Sequence, residues 1–270
     1  MMTDIETSAS LHQYGFMKNL SPQQHKRNVF FATFFAAQVS GLLMVVLIIV
    51  WAINGNNASG THVGGIGPFL SFYYHPVLMT IGMVFLTGQG AMLFRVLTRV
   101  DRNILKIPHL LLMSTVTILT ALGTYAIFVA QADVTPMRDL HDWVGLLTII
   151  LFGVQFIFGF LAKFYPGASP PLAQWYRPVH NFMGALVFVL ACASALTGLA
   201  LDGEKDFSTN GSISKAAGLF TICFAICVVV LVVNRDFART SWTTSKSEER
   251  SPLLTNAVLT SSNRGYTAIE

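Results

Sequence analysis

Charge is what this sequence has least of. Only 11% of its 270 residues are Asp, Glu, Lys or Arg, against 53% hydrophobic, where a soluble domain would carry about a quarter charged. So little charge cannot coat a water-facing globule of this length, and an integral membrane protein is the expectation. Cysteine is scarce too. Cys192, Cys223 and Cys227 all fall inside apolar runs, which excludes a disulfide framework in the loops and leaves them as small packing residues. No cleavable leader is read either, because the first apolar run begins only at Val29, behind a polar stretch without a cleavage-like site. The pI near 9.1 does not imply nucleic acid. The basic residues bracket apolar runs instead of covering a polar surface, which is the pattern of membrane orientation.

What is present is six apolar segments, at about 29–53, 69–94, 107–130, 141–162, 178–201 and 216–234. Each is long enough for a helix to cross a hydrocarbon core of ~30 Å, and none carries an Asp, Glu, Lys or Arg in its middle. The fold class is therefore all-α and membrane-embedded: six transmembrane helices (29–234) between cytosolic tails (1–28 and 235–270). With the N-terminus in the cytosol, 14 of the 17 Lys and Arg lie on inner segments, leaving Arg138, Lys205 and Lys215 outside. That asymmetry sets both termini in the cytosol. Two glycosylation sequons, at Asn57 and Asn210, then fall on the exoplasmic side, while the one at Asn19 falls inside, where no glycan is expected. The Ser/Thr-rich tail holds Glu249-Arg250-Ser251-Pro252-Leu253-Leu254 and Tyr266-Thr267-Ala268-Ile269. These resemble the acidic dileucine and tyrosine-based signals read by adaptor complexes, and point to an endosomal, lysosomal or secretory-vesicle membrane, with the plasma membrane as the alternative.

Four histidines stand near the ends of the four middle segments: His75, His109, His141 and His180, at intervals of 34, 32 and 39 residues. Histidine inside a membrane span is costly and marks function by default. Alternating helix direction puts His75 and His141 near the outer face and His109 and His180 near the inner one. Each depth-matched pair joins helices two apart in sequence, across a four-helix bundle of helices 2–5. Two imidazoles without a third ligand suit haem iron, since the porphyrin supplies the other four nitrogens; zinc would need more protein ligands. Gly145 and Gly184, each four residues after a histidine, would let a flat macrocycle approach the backbone. At a rise of 1.5 Å per residue the two levels lie on the order of 20 Å apart, an electron relay across the bilayer. The competing reading is a proton-coupled transporter using the histidines as a relay, although transporters more often interrupt their helices at the midplane. A third, a structural or adaptor membrane protein, leaves the His pairs unexplained.

Tyr74-His75-Pro76, Lys106-x-x-His109, Leu140-His141-x-Trp143 and Arg177-Pro178-Val179-His180, in that order over six helices, resemble the cytochrome b561 family of transmembrane ascorbate-dependent reductases. The resemblance covers about residues 30–235. It implies two b-type haems, the outer held by His75 and His141 and the inner by His109 and His180. It also implies electrons taken from cytosolic ascorbate and given to monodehydroascorbate or a ferric chelate on the other side, and a homodimer. Ascorbate would then sit among Lys106, Arg95, Arg102 and Arg177 at the basic inner mouth, where charge-assisted hydrogen bonds suit a monoanion. At the outer mouth Arg138 and His62 are the candidate acceptor contacts. The chain departs from the family in three places. Met113 replaces a second histidine that some members have. Gln174 and Ala173 stand where a basic residue can precede the inner ligand, so that Arg177 or Lys163 substitutes. Arg138 stands where some relatives have tyrosine.

Overall fold

Every helix expected from the apolar segments is present in the computed structural model, which describes residues 21–58, 72–130, 137–165, 167–203 and 209–237. The helices are α1 (Pro22–Ala58), α2 (Tyr74–Val96), α3 (Arg102–Ala130), α4 (Leu140–Lys163), α5 (Pro170–Gly203) and α6 (Thr209–Val233). All six are long and apolar enough to cross a membrane, and no strand occurs among the described residues.

Several helices start earlier than the apolar runs do, because their first turns carry polar starting signals. Ser21 and Gln24 form a reciprocal cap, with Gln24 N–H donating to Ser21 Oγ (3.2 Å) and Ser21 N–H to Gln24 Oε1 (2.9 Å). Pro22 follows at the first helical position, where its missing N–H costs nothing. Asp101 opens α3 by accepting the Asn103 N–H at 2.6 Å. At the start of α4 the Asp142 carboxylate accepts the N–H groups of Arg138 (3.0 Å) and Asp139 (3.4 Å). The preceding Met137 adopts a left-handed φ of 62°, a conformation that costs a non-glycine residue ~1–2 kcal/mol.

α2 is not a uniform helix. It is α-helical over Tyr74–Met79, π-helical over Thr80–Leu86 and α-helical again over Thr87–Val96. The wider turn is supported by Thr87, whose buried hydroxyl donates to the carbonyl of Gly82, five residues back, at 3.2 Å.

Within the unit Phe31–Val232, α2 packs on α3, α3 on α4, α4 on α5 and α5 back on α2, closing a four-helix bundle. α1 is tied to it by a reciprocal amide pair, Gln38 and Gln89, at 3.2 and 3.1 Å. Such pairs satisfy polar groups that lipid cannot. α6 packs through Phe224, whose ring stands 5.9 Å from those of Phe85 and Phe188 in the space left by Gly88 and Gly41. The opposite faces are apolar and uncovered. Ile107, Leu111, Ile118, Leu122 and Tyr125 form an exposed stripe along α3, and Trp143, Leu147, Ile150, Val154 and Ile157 another along α4, as a lipid-facing surface requires. Hydroxyls within the bundle bond back to their own helices, as Thr148 does to Val144 O (2.6 Å) and Thr221 to Ala217 O (2.8 Å).

Arg95, at the end of α2, donates from Nη2 to the carbonyl of Val232, satisfying one of the acceptors that the C-terminus of α6 leaves open. Arg95→Gln is expected to cost ~1.5–3 kcal/mol, the scale of a hydrogen bond to a charged group. The check is a lowered melting temperature in detergent; an unchanged one would remove this bond from the account. The other unit comprises Met1–Phe30 and Val233–Glu270. Among its described residues Lys26 pairs with Asp236 at 2.8 Å, and Phe30 meets Phe237 edge to face at 5.4 Å.

Candidate functional site

Two ends of the bundle carry imidazoles in pairs. His75 lies in the first turn of α2 and His141 in the first turn of α4, and their ring centres are 6.0 Å apart. At the other end His109 of α3 and His180 of α5 stand 6.3 Å apart. These are the pairs expected from the sequence, formed by helices that face each other across the bundle.

The hydrogen bonds of each ring decide which nitrogen is left over. His75 Nδ1 lies 3.0 Å from Gly123 O and His141 Nδ1 lies 2.8 Å from Ser194 O. A carbonyl oxygen only accepts, so in both rings Nδ1 carries the proton and Nε2 is the free lone pair. A ligating histidine is normally fixed this way. His180 Nδ1 is 3.2 Å from the Tyr176 hydroxyl, one turn earlier on α5, and the Gln155 amide donates to the His180 carbonyl at 2.7 Å. His109 Nδ1 is buried without a partner of hydrogen-bonding geometry, beside Gly90 and under the Phe94 ring at 5.5 Å.

Each ring also meets a glycine of the helix antiparallel to its own, three of them through the space a side chain would fill and His75 through the Gly123 carbonyl. A Cβ on Gly198 of α5 would lie 2.9 Å from both Cε1 and Nδ1 of His141. One on Gly159 of α4 would lie 3.1 Å from His180 Cε1. Gly90 of α2 faces His109 Nδ1 (3.6 Å from the same added atom), and Gly123 of α3 accepts from His75. The relation is reciprocal: α2 and α3 exchange one seat each, and so do α4 and α5. Sequence reasoning missed these four glycines; at the two it singled out for approach of a flat macrocycle, Gly145 and Gly184, an added Cβ would meet Ser194 Oγ (3.2 Å) and Gln155 Nε2 (3.5 Å). Only a spacing relates them. Each seat follows a histidine on its own helix, by 15, 14, 18 and 18 residues.

The remaining candidates divide by position. Arg102 and Lys106 lie at the start of α3, Arg95 at the end of α2, and Arg177 one turn before His180. All four are therefore at the His109/His180 end. Arg95 has the engagement with α6 already described. Met113, in place of a second histidine, packs against Gly90, with Cε 2.5 Å from the position of an added Cβ. Arg138 is exposed at the other end, next to the cap of α4. Asn210 lies in the first turn of α6 with its amide oxygen buried. His62, Glu249, Leu253, Leu254, Tyr266 and Ile269 lie outside the described residues, as does the side chain of Asn57.

This donor set fits a metal that already has an equatorial ring. A metal–nitrogen bond is ~2 Å, and an imidazole centre lies about 1 Å beyond its nitrogen. Two imidazoles on opposite sides of one iron therefore stand ~6 Å apart, which matches both pairs. Among the described residues no group of three or more His, Cys, Asp or Glu side chains converges, so the pairs offer axial positions only.

A membrane bundle with paired imidazoles at both ends defines a class, and the comparisons place the chain within it. Residues 74–203 match the family described as eukaryotic cytochrome b561. The chain is 33% identical over 216 residues to the transmembrane ascorbate-dependent reductase CYB561 of Mus musculus, covering 76% of this chain and 84% of that one. It is 31% identical over 208 residues to ascorbate-specific transmembrane electron transporter 1 of Zea mays, covering 74% and 87%. The human transmembrane ascorbate-dependent reductase is 32% identical over 216 residues, covering 76% and 83%. The chain belongs to the cytochrome b561 family, membrane oxidoreductases that bind haem b.

Proposed function

We propose that the protein carries electrons across its membrane from cytosolic ascorbate to an acceptor on the exoplasmic or lumenal side, through two b-type haems. His75 and His141 hold the outer haem and His109 and His180 the inner one. Haem iron, when bound, supplies reversible one-electron chemistry; the chain supplies its position and surroundings. The observation that carries the reading is the pair of imidazole separations, 6.0 and 6.3 Å, with Nε2 left free on both rings of the outer pair. The names of the mouse and maize relatives, a transmembrane ascorbate-dependent reductase and an ascorbate-specific transmembrane electron transporter, support ascorbate as the donor.

The roles of the side chains follow from position. Gly123 and Ser194 carbonyls orient the outer rings, while Tyr176 and Gln155 orient His180. The apolar wall of the bundle excludes water between the levels. At the inner mouth Lys106, Arg102 and Arg177 attract a monoanion, which loses one electron and one proton there. At the outer mouth Arg138 attracts an anionic acceptor. Monodehydroascorbate takes up one electron and one proton, and a ferric chelate takes one electron only. The basic inner segments support cytosolic termini, and the tail signals support an endosomal, lysosomal or vesicular membrane with adaptor complexes as partners. The protein acts as a homodimer.

The deciding experiment is the visible spectrum of the purified full chain, oxidised and then mixed with ascorbate. Haem bands that sharpen to the reduced form are expected. Bands absent from a folded preparation would exclude the relay, and bands reduced by dithionite but not by ascorbate would exclude the donor.

A further inference from the structure

A groove of ~250 Å³ runs between α4 and α5 on the lipid-facing side of the bundle. Its walls are mostly apolar. Val154 and Phe158 of α4 and Trp175 of α5 line it and are exposed, with Met183 of α5 half-buried beside them. Two polar side chains interrupt this lining, Gln155 and Tyr176. Both also hold His180. Gln155 Nε2 donates to the His180 carbonyl at 2.7 Å, and the Tyr176 hydroxyl lies 3.2 Å from His180 Nδ1. One hydrogen bond therefore separates the groove from the imidazole ring.

Each of these side chains has one group left over. Gln155 spends an amide N–H on His180, and among the described residues its Oε1 accepts no bond. The Tyr176 hydroxyl has His180 Nδ1 as its one partner among the described residues. With Nε2 of His180 kept for iron, as on the outer rings, Nδ1 carries the proton and the tyrosine oxygen accepts it. The Tyr176 O–H is then a donor in need of an acceptor. The groove thus offers one donor and one acceptor, from adjacent helices, between apolar walls.

That combination selects its occupant. An acyl chain would cover the walls and leave both polar groups unpaired, which hydrocarbon penalises. Water would pair them and leave aromatic and aliphatic surface wet. A hydroxyl carried on an aromatic ring does both. Its oxygen accepts from Tyr176, its hydrogen goes to Gln155 Oε1, and the ring lies against Phe158 and Trp175. The volume is below that of a pocket for a drug-sized ligand, so it suits one ring, with any tail leaving through the opening to lipid. No Lys or Arg is among the lining residues, so the occupant is uncharged.

We propose that this groove is a binding site for the head of a lipid-borne phenol, a single hydroxyl-bearing aromatic ring on a hydrocarbon tail. The donor half of the site rests on His180 being an iron ligand, as proposed above. Because Tyr176 touches both the occupant and the His180 ring, an occupied groove also changes the surroundings of the inner haem.

The test is a titration of the haem-loaded full chain in lipid nanodiscs with para-hexylphenol, and with its methyl ether, para-hexylanisole, which cannot donate. Tryptophan fluorescence and the haem absorption bands are read together. A saturable fluorescence change is expected with the phenol, lost in Trp175→Phe, together with a shift of the bands that His180→Ala removes. The ether should bind about tenfold more weakly, the scale of one hydrogen bond. Gln155→Leu should weaken the phenol about tenfold and leave the ether within about twofold, since the ether has nothing to give Gln155. Tyr176→Phe should weaken both. The comparison of phenol with ether in the wild-type chain holds even if a variant folds poorly. Equal binding of the two, or partition without saturation, would mean a groove filled by acyl chains and would overturn the site while leaving the relay in place. A folded chain without haem bands would overturn the relay, and this assignment with it.

Discussion

Alanine at His109 or His180 is expected to halve the haem content, from two per chain to one, and the haem that remains should be the same in both variants. Alanine at His75 or His141 should also halve it and leave the other haem. The reasoning is geometric. The rings of each pair face one another across ~6 Å, so removing one leaves an iron with a single protein ligand in a bundle built for two. Nothing nearby replaces it, because among the described residues no third His, Cys, Asp or Glu converges on either pair. The two ends should also be separable, since each ring takes its bonds and its seat from residues at its own end. Haem per chain, with the spectra of the four variants side by side, reads the outcome. If His75→Ala and His180→Ala removed the same component, the pairing would be wrong.

Gly198→Val should reproduce the loss expected of His141→Ala although it leaves every histidine in place. A Cβ at Gly198 lies 2.9 Å from two atoms of the His141 ring, inside any ordinary contact distance. The ring cannot swing away cheaply, because its Nδ1–H is bound to Ser194 O at 2.8 Å. Either that bond breaks, or the two helices separate, and in both cases the ring leaves its place opposite His75. Moving a ligand ring by about 1 Å is enough to lose function built on fixed geometry. Gly159→Val should act in the same direction on the inner pair, but more weakly, since its closest approach is 3.1 Å. Gly153→Ala, with nothing within 4 Å, is the control and should bind both haems. A Gly198→Val protein with full haem content and an unaltered spectrum would show that the seat has no such role.

The six helices and the two His pairs were legible for a physical reason. Lipid forbids interrupted hydrogen bonding, so span length and charge distribution carry the topology, and a histidine in such a span stands out against its background. Helix direction alone then matched His75 with His141 and His109 with His180. The seats were not legible in the same way. Glycine is frequent in membrane helices, and nothing local separates Gly159 or Gly198 from Gly145 or Gly184; the difference lies in what the antiparallel helix presents. Arg95 shows the same limit. Its place at the inner end makes it a candidate for the donor site, but nothing local announces its bond to the end of α6, a helix more than a hundred residues away in sequence.

The wide turn in α2 has a consequence for how this architecture tolerates change. From His75 to Gly90 is 15 residues, but on the antiparallel partner His109 to Gly123 is 14. The two intervals must span equal heights for both rings to find their seats. A π turn takes up one residue more than an α turn over the same distance, so Thr80–Leu86 absorbs the surplus. α2 therefore holds a spare residue in reserve. A chain that loses one there shortens to the length of its partner, and one that loses it from α3 pulls a histidine off its glycine. Slack of this kind, placed between two fixed points, lets a packed membrane helix hold one residue more than its partner.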